Sequence, residues 1–177
     1  MHRRRFLSAS LALLLWPLAG RSKEPAAVRA LPEPLAEALE KSPFVYVSPL
    51  RADGSESSCH GEVWYAWLGG AVVLNTASDT WKSRALARGL DRARVWVGDH
   101  GTWKRPLGGR NEAFRAAPHF EARAERSTDA ALLDLLLARF GEKYPGEIAS
   151  WRDDMRQGFH DGSRLLIRYQ PVAEPRT

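Results

Sequence analysis

The sequence predicts a single α+β domain built on an antiparallel barrel or sheet, and three observations carry that expectation. Short runs of β-favouring residues recur between turn signals, at residues 44–48, 57–67, 71–76, 93–98, 119–125 and 162–170. Two of their connections are tight, Ala52-Asp53-Gly54-Ser55 and Gly69-Gly70, and tight turns join antiparallel neighbours. The helical patterns lie between and after the strands, without the regular β–α alternation of a parallel sheet.

The N-terminus stands apart from that domain. Arg3, Arg4 and Arg5 precede Phe6-Leu7 and a short apolar run to Leu15, followed by small residues up to Gly20. This is the pattern of an export signal, too short for a stable membrane anchor, and Arg3-Arg4-Arg5-Phe6-Leu7 also fits the twin-arginine type. We therefore expect residues 1–23 to be a signal peptide, 24–42 a linker and short helix, and 43–172 the folded domain of a periplasmic or otherwise exported protein. The formal charge of +5 disappears on trimming. Of the 26 basic residues, Arg3, Arg4, Arg5, Arg21 and Lys23 precede the first acid, Glu24, leaving 21 of each sign. No basic footprint for nucleic acid remains. The single cysteine, Cys59, excludes an intrachain disulfide.

Within the domain, Leu35 and Leu39 at i, i+4 predict a short amphipathic helix over 32–40, stopped by Pro43. A strand at 44–48 turns at Asp53-Gly54 into a return strand at 57–67, with Val63, Tyr65 and Trp67 on one face and Glu62, Trp64 and Ala66 on the other. Gly69-Gly70 leads to a strand at 71–76 and a helix at 82–88 that ends at Gly89 with Leu86 inward. A strand at 93–98 follows. Residues 103–116 carry no clear period, and Gly108-Gly109-Arg110 lacks the context of a dinucleotide loop and reads as a turn. Phe120, Ala122 and Ala124 alternate with Glu121, Arg123 and Glu125, a strand wet on one side. Ser127 or Thr128 is the expected cap of a helix with the stripe Leu133, Leu136, Leu137 and Phe140, closed by Gly141. A more polar helix is expected over 145–157, then a last strand with Leu165, Ile167 and Tyr169 on one face.

Chemistry concentrates between Ala71 and Leu86. An apolar strand ends in Asn75-Thr76, and Trp81-Lys82-Ser83-Arg84 opens the next helix, a set suited to a phosphate: two cations and two hydroxyls, from Lys82, Arg84, Thr76 and Ser83. Trp64, Tyr65, Trp81 and Trp96 offer faces for a planar ring. The alternative is that Lys82 and Arg84 are solvated and the tryptophans are core. Cys59-His60 lacks a second pair at metal-ligand spacing, since His100, His119 and His160 are scattered, so no metal site is expected. No catalytic constellation of the hydrolase kind is present, and catalytic residues stay unassigned.

The succession of strand, Asp-Gly hairpin, aromatic strand, Gly-Gly turn, Val-Val-Leu-Asn-Thr-Ala-Ser-Asp-Thr-Trp-Lys-Ser-Arg-Ala-Leu and Ala-Arg-Val-Trp-Val resembles the flavin-binding split-barrel superfamily, whose best-known members are the pyridoxamine 5′-phosphate oxidases. The resemblance covers residues 43–98, and 163–171 more loosely. It implies a split β-barrel of about six strands with flanking helices, and FMN as cofactor, with Thr76 and Lys82 at the positions that approach the flavin phosphate. Where the family commonly has Arg before that Lys, this chain has Trp81, leaving Arg84 as the substitute charge. The implied activity is oxidoreduction of a small organic substrate by a homodimer with the flavin at the subunit interface. A deazaflavin-dependent reductase of the same fold, or a non-catalytic module for flavin, haem or another small ligand, are the alternatives.

Overall fold

A computed structural model describes residues 31–102 and 110–172. The expected signal peptide, most of the linker and Gly108-Gly109 lie outside the described residues. Helix α1 is Glu33–Lys41, followed by β1 (Val45–Pro49), β2 (Gly61–Val63), β3 (Ala66–Leu68), β4 (Ala71–Ala77), α2 (Trp81–Ala87), β5 (Arg92–Val97), β6 (His119–Ser127), α3 (Ala130–Lys143), α4 (Arg152–Asp161) and β7 (Arg164–Pro171). Two single 3₁₀ turns, Ala113–Ala116 and Ile148–Ser150, complete the described elements.

Seven strands form one sheet in the order β2-β1-β5-β6-β7-β4-β3, with every neighbouring pair antiparallel. The two edge strands, β2 and β3, are consecutive in the chain and separated only by Trp64 and Tyr65. Three backbone steps reach roughly 10 Å at most. The sheet must therefore curl until its edges almost meet, and it closes through the chain instead of through a ladder. This is the split barrel.

The expected return strand at 57–67 is thus two strands, which raises the count from about six to seven. Val63, on β2, pairs with Val45, whereas Ala66, on β3, pairs with Val73 on the far edge. At the break the Tyr65 N–H donates to the Tyr144 hydroxyl (3.2 Å), and the Tyr65 carbonyl accepts from Lys143 Nζ (3.3 Å). Helix α3 so supplies the hydrogen bonds that the ladder gives up there. The face assignment holds: Tyr65 is fully buried in the barrel core with Val63 and Trp67 against it, while Ala66 and Trp64 face α3.

Inward residues alternate along each long strand, Val72 and Leu74, Ala93, Val95 and Val97, Phe120, Ala122 and Ala124, Ile167 and Tyr169. Leu35 and Leu39 of α1 add to this core, as expected. On the outside, Leu133, Leu136, Leu137 and Phe140 of α3 cover Ala71, Val73 and Leu166. A third cluster, Tyr46, Trp96, Phe114 and Ala117, seals another part of the outer face.

The turns behave as read. Gly69 and Gly70 have φ of 55° and 75°, the pair of positive values that a two-residue hairpin matched to strand twist requires. Gly54 (φ 81°) follows Asp53, whose carboxylate accepts from the Ser55 N–H at 2.9 Å. The helix ends move. Asp129, not Ser127 or Thr128, caps α3, accepting from Ala131 and Leu132 N–H groups, because the chain leaves β6 only after Ser127. Gly141 is interior to α3, which runs on to Lys143. The helix expected over 145–157 begins as the 3₁₀ turn and becomes α4 only at Arg152, reaching Asp161.

Candidate functional site at the start of helix α2

Strand β4 delivers Thr76 to the inner side of the barrel wall and Asn75 to the outer side, since successive side chains alternate. Thr80 then caps α2, accepting from the Ser83 N–H. Its hydroxyl lies 3.3 Å from that of Thr76 and 3.1 Å from that of Ser83, and the Ser83 hydroxyl donates to the Ala77 carbonyl at 2.8 Å. Thr76 and Ser83 are both buried. The expected hydroxyl donors are therefore joined to one another, where they fix the start of α2.

Lys82 turns inward. It is 8 % exposed, a rare burial for lysine, and no carboxylate pairs with it among the described residues. Its Nζ stands 4.7 Å from the Trp81 ring centroid. Burial alone pushes its pKa down to about 8. Strand β2 approaches at Gly61, where an added Cβ would stand 3.1 Å from Trp81 Cζ2 and 3.8 Å from Lys82 Nζ. A glycine inside a strand marks such a close approach, a signal present in the sequence but not assigned there. Trp81, in the position where a second cation was expected, packs partly buried against the barrel core.

The remaining predicted residues go elsewhere. The Arg84 guanidinium is exposed and donates to the Asp79 carbonyl, so it does not join Lys82. Asn75 accepts from Arg164 Nε on the outer face. Trp64 stacks on Tyr144 (4.4 Å between centroids, 8° between planes) and meets Phe140 edge-on, beneath α3. Trp96 lies edge-on to Phe114 at 5.1 Å in the outer cluster. Trp96 and Tyr65 are buried, and Trp64 is partly buried against the cluster under α3. For Lys82 the solvated reading is wrong.

What converges is one buried ammonium, one indole and one side-chain-free stretch of backbone. Such a set fits the anionic end of a ligand, with Lys82 as its charge partner and Gly61 leaving room beside it. The described residues hold no cluster of three or more His, Cys, Asp or Glu suited to a metal ion.

No family model matches the chain, and no curated protein does. Among solved structures, the haem storage protein HutZ of Vibrio cholerae is similar with a TM-score of 0.53 at 15 % identity, covering 79 % of this chain and 89 % of that one. A conserved hypothetical protein of Mycobacterium tuberculosis gives the same TM-score at 19 % identity, with 88 % and 87 % covered. These likenesses show a shared fold over most of both chains. The resemblance seen in residues 43–98 thus holds at the level of architecture.

Proposed function

We propose that the chain binds an anionic redox cofactor, a flavin nucleotide in the first place, with the phosphate on Lys82 and Trp81 beside it. One observation carries the proposal: a lysine 8 % exposed with no carboxylate partner among the described residues. A buried cation without a partner is costly, and a bound anion removes that cost. The split barrel adds fold-level support, and FMN is the form whose single terminal phosphate matches a single ammonium.

A bound flavin would supply hydride or electron transfer to a small organic substrate. The chain's own part is to bind and orient. Lys82 neutralises the phosphate, the indole of Trp81 excludes water from the ammonium, and the Thr76, Thr80 and Ser83 hydroxyls hold the start of α2 at a set distance from β2. Of the four aromatic residues predicted to flank a ring, only Trp81 lies at Lys82, so the ring's other contacts come from a second copy in a homodimer. Export to the periplasm belongs to the same reading and rests on residues 1–23.

Haem is the second reading, favoured by the similarity to HutZ, with a propionate in place of the phosphate. The visible spectrum of the purified protein, with the released chromophore identified by mass and the oligomer sized, separates the two. FMN bound by the wild type and lost in Lys82→Met supports the first reading. A Soret band supports the second, and a colourless protein that takes up neither FMN nor haemin overturns both.

A further inference from the structure

On the outer side of the barrel, an open cleft of about 570 Å³ lies between the chain leaving β4 (Ala77, Ser78, Asp79) and one face of α4 (Asp154, Gln157, Gly158, Asp161), with Ser163 and Arg164 also lining it. It does not share Lys82 or Trp81. Arg164 reaches it because residue 158 is glycine: an added Cβ there would stand 2.5 Å from Arg164 Cγ and 2.7 Å from Cδ. The aliphatic stem of Arg164 thus crosses α4 through a gap that no other residue would leave.

The guanidinium is held from behind. Its Nε donates to Asn75 Oδ1, and Asn75 is 9 % exposed with its Nδ2 lacking any partner among the described residues. Leaving that amide unsatisfied is costly. Simple stability would favour an apolar residue here. Asn75 keeps the guanidinium in one orientation, with its two terminal nitrogens making no hydrogen bond or ion pair among the described residues. A guanidinium held at one edge presents its other edge to a planar anion.

The rim has the opposite sign. Asp161 is engaged by the Ser163 N–H at 2.8 Å, while Asp154 has no hydrogen bond among the described residues, although its charge acts on Arg164. A ligand that was only an anion would meet this rim unfavourably. One that also carried an ammonium would satisfy both ends.

We infer that this cleft is a second binding site, for a small zwitterion bearing a carboxylate, received by Arg164, and an ammonium, received by Asp154. The inference is independent of the cofactor reading. The cleft wall at Ala77–Asp79 continues into the cap of α2, so occupancy would also stiffen the segment that carries Lys82.

The test is amide chemical-shift titration of the ¹⁵N-labelled chain with three probes: β-alanine, acetate and ethylammonium. β-Alanine should give saturable shifts at Ser78, Asp79 and Ser163 with a Kd at least about tenfold below either monopolar probe. Arg164→Lys, which keeps charge and stem but loses the fork, should weaken β-alanine about tenfold or more, and Asp154→Asn, on the exposed rim, should bring it to the acetate level. The inference is overturned if β-alanine binds no better than acetate, if no probe gives saturable shifts at these amides, or if both variants bind β-alanine as the wild type does.

Discussion

Replacing Lys82 by methionine should stabilise the ligand-free protein near neutral pH while abolishing anion binding, a combination that only an unpaired buried cation gives. The Lys82 pKa falls from 10.5 to about 8, and at about 1.36 kcal/mol per unit this charges the folded state roughly 3 kcal/mol when the ammonium is protonated. Contact with the Trp81 ring returns about 1 kcal/mol. Methionine has a similar length and brings no charge, so Lys82→Met should gain about 2–3 kcal/mol at pH 6.5. For a domain of this size that is roughly 4–10 °C in Tm. The sign with pH follows from proton counting. Between the folded value near 8 and the unfolded value near 10.5 the unfolded chain binds more protons, so wild-type stability rises with pH across that window and is flat below it. Lys143, also pushed down to about 8 by burial, adds the same slope. The difference between wild type and variant therefore isolates Lys82, and it should shrink as the pH approaches 10. Urea denaturation at pH 6.5 and 9.5 measures it. A variant less stable than wild type by the same amount at both pH values would refute the reasoning, because it would mean that the ammonium has a protein partner.

Other outcomes test the placement of the remaining residues. Trp64→Phe should lose the stack on Tyr144 and lower stability by about 0.5–1.5 kcal/mol, yet leave chromophore content per folded chain unchanged. Gly61→Ala would place a Cβ 3.1 Å from Trp81 Cζ2 and so should push the ring away, read as a changed tryptophan emission spectrum, and weaken FMN uptake more than it lowers Tm. Leu136→Ala, at a fully buried position on the sheet-facing side of α3, should cost about 2–5 kcal/mol in chemical denaturation. Asp129→Ala should cost about 0.5–2 kcal/mol through loss of the α3 cap, whereas Thr128→Ala should cost much less.

Most of the barrel was legible in the sequence because its signals are local. Alternation set the inward faces of β6 and β7, and paired glycines set the β3–β4 hairpin. The break at Trp64-Tyr65 was not legible, because what makes it tolerable is Tyr144 and Lys143, about eighty positions along the chain. Local periodicity reads straight through 57–67, since Glu62, Val63, Trp64, Tyr65, Ala66 and Trp67 keep alternating faces while the strand changes partner. The start of α3 was misplaced by one or two residues for a related reason. Ser127, Thr128 and Asp129 are all competent caps, and only the length of β6 decides among them. In the candidate site, sequence reasoning placed Lys82 and missed Gly61. It also grouped side chains by proximity along the chain, so Asn75 and Arg84 were included although strand alternation and helix rotation point them away.

Trp81, where the resemblance implies an arginine, would change what the proposed site recognises. Two cations side by side would hold a phosphate by charge alone, with water reaching both. Here the single ammonium is covered by an indole on one side and by β2 at Gly61 on the other, so its field is less screened, and losing a proton is the only relief open to it without a ligand. Affinity for an anion should consequently fall as pH rises through about 8, where the ligand-free lysine deprotonates, about tenfold per pH unit above that point. A site built from two exposed cations would keep its affinity to well above pH 9. FMN titrations followed by flavin fluorescence from pH 6.5 to 9.5, at constant ionic strength, distinguish the two: a flat profile would show that Lys82 does not hold the anion, and a break near 8 would tie the binding energy to this one buried proton.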